Sequence, residues 1–227
     1  MRAFGLSVAI LLWASSASAT EVSGSAGLVS DYRYRGISLS NGRPAAQAFL
    51  NLEHDSGLYA GLWASTLGSG AIRESEVDFT AGFSRTIGES VTIDLSGSYF
   101  SYPAAGAGNY FETRASATLS GGGASAKVGI SFVPAQSATR GEDGRRRSNL
   151  YLFGTADYAV PATPLTLSAG LGFERGAFDE VENGGKWDWS LGAEAAIEPA
   201  RLGLAWVGSN TGGGDRRALV ASFLLDW

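Results

Sequence analysis

The sequence predicts an all-β chain, a closed antiparallel transmembrane β-barrel of about 12 strands with short periplasmic turns and longer extracellular loops. Three observations predict it. Apolar and polar residues alternate with a period of two in segment after segment, the pattern of a sheet with one dry and one wet face. The connections between those segments alternate between long and short. The closing stretch, from Arg217 to Trp227, sets Leu219, Ala221, Phe223, Leu225 and Trp227 on one face and Ala218, Ser222 and Asp226 on the other. A bilayer tolerates no open sheet edge, so this last strand has to pair with the first.

Composition agrees. The chain has 227 residues, enough for one closed sheet, and its 32 glycines and 6 prolines favour turns and strand bends over collagen-like or proline-rich disorder. With a net charge of −5 and a single, short Lys/Arg-rich run, nothing predicts nucleic-acid binding through counterion release, and the absence of cysteine excludes disulfides and thiolate metal sites. At the start, Arg2, an apolar run from Ala3 to Trp13 and Ala17-Ser18-Ala19 have the grammar of a secretory signal peptide, which predicts cleavage after Ala19 and a barrel over residues 20–227. No later segment approaches the roughly 20 apolar residues of a membrane helix. Export then leaves the periplasm, the outer membrane or the medium, and a barrel selects the cell outer membrane, with its lipid as a partner.

The elements follow in order. A first strand over 24–36 places Ala26, Leu28, Tyr32 and Tyr34 on one parity and Asp31, Arg33 and Arg35 on the other, and Ser40-Asn41-Gly42-Arg43-Pro44 is a loop. Residues 45–54 set Ala48, Leu50 and Leu52 against Gln47, Asn51 and Glu53, and Asp55-Ser56-Gly57 turns into 58–67. The clearest alternation is at 76–87, where Val77, Phe79, Ala81 and Phe83 oppose Glu76, Asp78, Thr80 and Ser84. Residues 91–101 oppose Val91, Ile93, Leu95 and Tyr99 to Thr92, Asp94, Ser96 and Ser98; residues 110–120 oppose Phe111, Ala115 and Leu119 to Glu112, Arg114 and Thr118. The segment 124–133 carries Val128 and Ile130 against Lys127 and Ser131, and a charged loop runs from Pro134 to Arg147. Residues 149–160 place Leu150, Leu152 and Tyr158 opposite Asn149, Thr155 and Asp157. Strand 165–174 follows, then a long loop from Arg175 to Lys186. Residues 187–197 oppose Trp187, Trp189 and Leu191 to Asp188, Ser190 and Glu194, and 201–208 precede the last loop and the closing strand.

Aromatics give the frame its height. Tyr34, Tyr99, Phe111, Phe132, Phe173, Trp187 and Trp206 fall on the apolar parity near the outer ends and form an expected upper girdle, with Phe83, Tyr158 and Trp227 near the lower ends. The competing fold is a soluble β-sandwich with these aromatics in its core. Arg85 lies on the lipid parity but close to a lower turn, where a long side chain reaches the interface.

Enzymatic readings find few residues. A barrel hydrolase of the phospholipase type needs serine, histidine and an orienting polar group, and the one histidine, His54, shares the parity of Leu50 and Leu52 at a lower strand end. There is no Gly-x-Ser-x-Gly elbow, and Gly212-Gly213-Gly214 lacks the lysine and hydroxyl of a phosphate loop. Glu76 and Asp78 have the spacing of an acid/base pair, but any wet barrel wall needs polar residues there. Glu142-Asp143 sits beside Arg140 and Arg145-Arg146-Arg147, which neutralise it in place of a metal. No catalytic residue, metal or cofactor is expected.

What remains is the inward face. Asp31, Arg33, Arg35, Glu76, Asp78, Asp94, Glu112, Arg114, Lys127, Asp157, Asp188 and Glu194 are the expected pore-lining set, with Glu53 on the same parity. Their acidic excess predicts weak cation preference. Barrels of 8 strands fill with side chains and those of 16 hold open channels, so roughly 12 strands predict a narrow pore.

Ser30-Asp31-Tyr32-Arg33-Tyr34-Arg35-Gly36-Ile37-Ser38, then Ser40-Asn41-Gly42-Arg43-Pro44 and Gly57-Leu58-Tyr59-Ala60-Gly61-Leu62-Trp63-Ala64-Ser65, resemble the TorF-type porin family of Gram-negative bacteria. The likeness covers the first three strands closely, and the rest only in length, strand spacing and the aromatic end. It implies an outer-membrane channel for passive passage of ions or small polar solutes. An ending on an exposed aromatic is also similar to the signal read by the barrel assembly machinery, which makes that machinery an expected partner through Trp227. The alternative is a closed outer-membrane barrel with a structural or surface-binding role through its extracellular loops, 134–147 and 175–186 above all.

Overall fold

Period-two alternation becomes twelve wall strands in the computed structural model, which describes residues 20–68, 74–104, 108–179, 184–211 and 216–227. The expected signal peptide, residues 1–19, lies outside the described residues. The wall consists of β1 (Thr20–Val29), β4 (Ala45–His54), β5 (Leu58–Thr66), β6 (Ser75–Ile87), β7 (Val91–Ser101), β8 (Tyr110–Gly121), β9 (Ala124–Val133), β10 (Asn149–Ala159), β11 (Leu165–Gly176), β12 (Lys186–Ile197), β13 (Ala200–Ser209) and β14 (Arg217–Asp226). Two further short strands, β2 (Arg33–Tyr34) and β3 (Ile37–Ser38), pair only with each other. Each wall strand is antiparallel to its sequence neighbour, and β14 closes the sheet on β1, with Ser25 opposite Asp226 and Val29 opposite Ser222. Closure on the first strand removes the open sheet edge that a bilayer does not tolerate.

Which face each strand turns outward follows from its alternation. Phe79, Leu95, Val128, Leu171, Leu191, Leu204 and Leu219 are each more than half exposed on the outside. So broad an apolar band is what a hydrocarbon layer covers, and in a water-soluble protein it would be a severe liability. Leu204 sits midway along β13, opposite Ala193 and Ala221. Leu204→Arg is expected to lower the unfolding free energy in lipid vesicles by about 2–4 kcal/mol, the cost of a cation at the bilayer midplane. The inward Ser116→Arg is expected to cost far less, and urea titration of both variants checks the assignment of faces.

The first predicted strand needs correction. The wall strand is 20–29, not 24–36, and residues 31–40 leave the wall and fold into the lumen. Their alternation is genuine but belongs to the hairpin β2–β3, so Tyr34 points into the barrel and is no part of the upper girdle. Tyr99, Phe111, Phe132, Trp187 and Trp206 do stand outside near the upper ends, each roughly two-fifths exposed, and Phe83, Tyr158 and Trp227 near the lower ones. The charged loop after β9 is also less open than expected: Ser137–Thr139 form a short 3₁₀ helix, and Ala138 packs over the mouth.

Candidate functional site

The inturned hairpin organises the lumen. Asp31 fixes its base, accepting from Ser38 Oγ at 2.5 Å, Ser40 Oγ at 3.1 Å and Arg33 Nε at 2.5 Å. The Tyr32 amide donates to Ser40 Oγ at 2.8 Å, and the Leu39 amide to the Tyr32 carbonyl at 2.7 Å. At the tip, Arg35 (φ 48°) and Gly36 (φ 80°) are both left-handed, the geometry of a two-residue hairpin turn. Gly36 has a second reason to be glycine: a Cβ there would stand 2.5 Å from the Gly208 carbonyl oxygen and 2.7 Å from Ser209 Cβ. The hairpin therefore rests its tip against β13, two strands round the wall from β1.

Arg35 then ties the tip to the walls. Its guanidinium donates from Nη2 to Glu112 of β8 at 2.5 Å and from Nη1 to Glu174 of β11 at 2.6 Å, and lies 4.0 Å over the Tyr151 ring of β10. Lys186 of β12 reaches Glu174 at 2.5 Å, Asn149 Nδ2 donates to Glu174 at 2.8 Å, and Arg114 approaches Glu112 at 3.4 Å. Desolvation pulls the Arg35 pKa down, but Tyr34, Glu112 and Glu174 outweigh it and the net direction is upward, so the crossbar stays charged. Two buried carboxylates thus share three cations. Removing one partner of such a lattice leaves the other charged and dry.

Beside the lattice the lumen is closed by rings. Phe100 and Tyr110 stack with centroids 4.4 Å apart, Tyr34 tilts on Phe100 at 5.9 Å, and Phe178 tilts on Tyr110 at 5.2 Å. With Val133, Tyr102 and Ala138 they form a small apolar core inside the barrel. On the opposite flank Tyr32 packs on Trp63 at 5.0 Å. Glu76, fully buried, meets no cation among the described residues and accepts from Tyr32 Oη at 3.0 Å and Tyr102 Oη at 2.8 Å. Burial first, then the Glu76 carboxylate, pushes both phenols above their ordinary range, so both keep their protons.

Among the described residues three cavities follow one another along the lumen. Above the tip, about 290 Å³ is lined by Tyr34, Ile37, Tyr102, Phe178, Glu174 and Lys186. Below it, about 560 Å³ is lined by Tyr34, Arg35, Tyr59, Arg114, Phe153 and Asp188 among others. Nearest the lower turns, about 400 Å³ is lined by Phe49, Asn51, Glu53, Tyr59, Ser84 and Asp94. The first two share Tyr34, and the last two share Tyr59 and Asp94. A further hollow of about 820 Å³ lies at the lower rim against Leu119, Tyr158, Leu167 and Leu191, whose outward side chains make it a lipid-facing dent.

Of the residues expected to line a pore, Asp31, Arg33 and Arg35 ride on the hairpin instead of the wall. Glu76, Asp78, Glu112 and Asp188 stand on the upper wall around it. Asp94, Arg114 and Lys127 line the middle cavity. Asp157 is exposed near the lower end of β10, 3.5 Å from Ser125 Oγ; Glu194 pairs with Arg201, which also holds Asp226. His54 bonds its own turn through Ser56 Oγ at 2.7 Å. Sequence reasoning missed Glu174, Lys186 and Tyr151, placing the first two outside the inward set although Glu174 continues the parity of Gly170 and Gly172. Among the described residues no cluster of three or more His, Cys, Asp or Glu has metal-binding geometry.

The barrel resembles solved outer-membrane proteins. A KdgM porin matches 91% of this chain and 98% of its own at 9% identity and TM-score 0.59, and a NanC porin matches the same shares at 10% and 0.61. An outer membrane channel from Pseudomonas putida F1 covers 92% of this chain and 96% of its own at 11% identity and TM-score 0.55. At such identities the likeness is one of fold. No curated protein matches the sequence. A family model described as a bacterial protein of unknown function, Gcw_chp, matches residues 13–219.

Proposed function

Because the chain belongs to the Gcw_chp family of bacterial proteins of unknown function, we propose from the barrel itself that it is an outer-membrane channel of restricted bore for passive passage of ions or small polar solutes. The observation that carries this is the file of three cavities along the lumen, the middle one walled by Asp94, Arg114, Lys127 and Asp188, with the hairpin tip and the aromatic cluster beside it between the middle cavity and the upper one. A barrel built only as a scaffold has no need of a charged, cavity-bearing interior on both sides of an inturned hairpin. The apolar outer band and the porin folds it resembles support residence in outer-membrane lipid after removal of residues 1–19. The finer likeness to TorF-type porins rests on residues 30–38, 40–44 and 57–65, which include the hairpin, and delivery by the barrel assembly machinery would use β14 with Trp227. The channel reading assigns no catalytic role to any residue.

Charge supports weak cation preference. Among the described residues Glu76 meets only phenol donors and Asp78 Oδ1 has no hydrogen-bond partner, which supports an acidic upper wall at β6. Single-channel recording of residues 20–227 in a planar bilayer with a salt gradient tests both statements. Small stable steps with a cation-signed reversal potential are expected, and Glu76→Gln with Asp78→Asn should move that potential toward zero. Unmoved selectivity sinks the assignment of those two carboxylates. Electrical silence from a heat-modifiable barrel favours the second reading, a closed barrel working through its outer loops, which the hairpin crossbar itself supports.

A further inference from the structure

The middle cavity has the lining of a carbohydrate site, and we propose that it binds a neutral, sugar-sized ring polyol. The inference names a solute class for the lumen of the proposed channel and rests on that reading. Its volume, about 560 Å³, lies within the roughly 300–1,000 Å³ of small-molecule pockets. Two aromatic rings meet it from nearly opposite walls, Tyr59 from β5 and Phe153 from β10. Each is laid across a glycine of the next strand: a Cβ on Gly82 would stand 2.5 Å from Tyr59 Cζ, and one on Gly129 would collide with Phe153 Cζ. Glycine opposite each ring lets it lie along the wall, so its face and not its edge borders the space. Flat faces suit the C–H faces of a sugar ring, and a linear polyol presents no such surface.

Between the rings the polar groups come in both kinds. A hydroxyl both donates and accepts, so a polyol is served by acceptors and donors side by side, whereas an anion draws on donors and a cation on acceptors. Asp94 and Asp188 supply acceptors, Arg114 and Lys127 donors, and Thr80, Ser96, Ser98, Ser116, Thr155 and Ser190 supply hydroxyls. Two members have capacity to spare. Asp188, only 8% exposed, uses one oxygen to accept from Tyr151 Oη at 3.1 Å, and its Oδ2 has no partner. No hydrogen bond or ion pair among the described residues engages the Lys127 ammonium. A buried carboxylate oxygen without a donor is costly unless a ligand or water supplies one.

Saturation-transfer NMR on residues 20–227, refolded in an amine-oxide detergent that carries no sugar, tests this with sucrose as the probe and sorbitol and polyethylene glycol as controls. Sucrose ring protons should receive saturation well above both controls. Tyr59→Leu with Phe153→Leu should weaken the apparent affinity roughly tenfold, the loss of two stacking contacts. Lys127→Met, which removes an unpaired charge and leaves the wall intact, should weaken it measurably and keeps the test decisive if the double variant fails to fold. Sucrose signals no stronger than those of sorbitol, or unchanged by Lys127→Met, overturn the proposal. The readout needs no ion current, so a silent barrel that binds sucrose and a conducting barrel that ignores it are told apart.

Discussion

Arg35→Ala is expected to open the lumen. The substitution strips Glu112 and Glu174 of the group that bridges them, and breaking a buried ion pair from one side costs about 3–5 kcal/mol. Arg114 and Lys186 remain for the two carboxylates, so the loss falls mainly on the hairpin, whose tip keeps the Tyr34 ring contact and the Gly36 contact with β13. Single-channel conductance should rise several-fold, and the thermal midpoint should fall by less than the pair energy implies because the released hairpin gains entropy. Arg35→Lys should land between, since an ammonium is a point charge that cannot bridge two walls as a planar fork does. Conductance unchanged by Arg35→Ala would mean that the stack of Phe100, Tyr110 and Phe178 closes the bore unaided.

Removal of residues 217–227 is expected to abolish the barrel outright. β14 supplies the ladder partners of both β1 and β13, and its loss exposes two edges where hydrocarbon offers no hydrogen bonds. Refolding in detergent should give no heat-modifiable species on gel electrophoresis. Trp227→Ala separates closure from delivery. Trp227 exchanges backbone bonds with Gly24 at 3.1 and 3.0 Å and lays its ring where a Gly24 Cβ would stand, 2.8 Å away. Losing the ring should cost about 1 kcal/mol in vitro, so the variant should still refold unaided, while its membrane insertion in cells should drop if the aromatic end is read by the assembly machinery.

How much of this was legible depended on whether period two had one meaning. For β6, Glu76 to Ser84 inward and Val77 to Phe83 outward followed directly, because a wall strand between water and lipid has no other way to arrange itself. Residues 31–38 alternate just as well, yet Tyr32 and Tyr34 face a second interior made by the hairpin. Alternation cannot distinguish a strand in the wall from a strand inside it. The usable signal was local: Arg35-Gly36 as a two-residue turn, with Asp31 spaced to take Ser38 and Ser40. Tyr59, Tyr151 and Phe153 were overlooked for a related reason, as inward aromatics break the rule that rings face lipid. Their mark is the glycine opposite, Gly82 for Tyr59 and Gly129 for Phe153, visible only once register is known.

The hairpin is drawn from the chain's own first loop, between β1 and β4, and is anchored at both ends within a few residues. A blocker so tethered never diffuses away, and its local concentration at its seat is set by the tether, not by how much protein or ligand the cell holds. Opening is then a unimolecular event. Recordings should show brief interruptions whose closed-time distribution is independent of protein density, and a free peptide of the same sequence should compete poorly for the vacated seat.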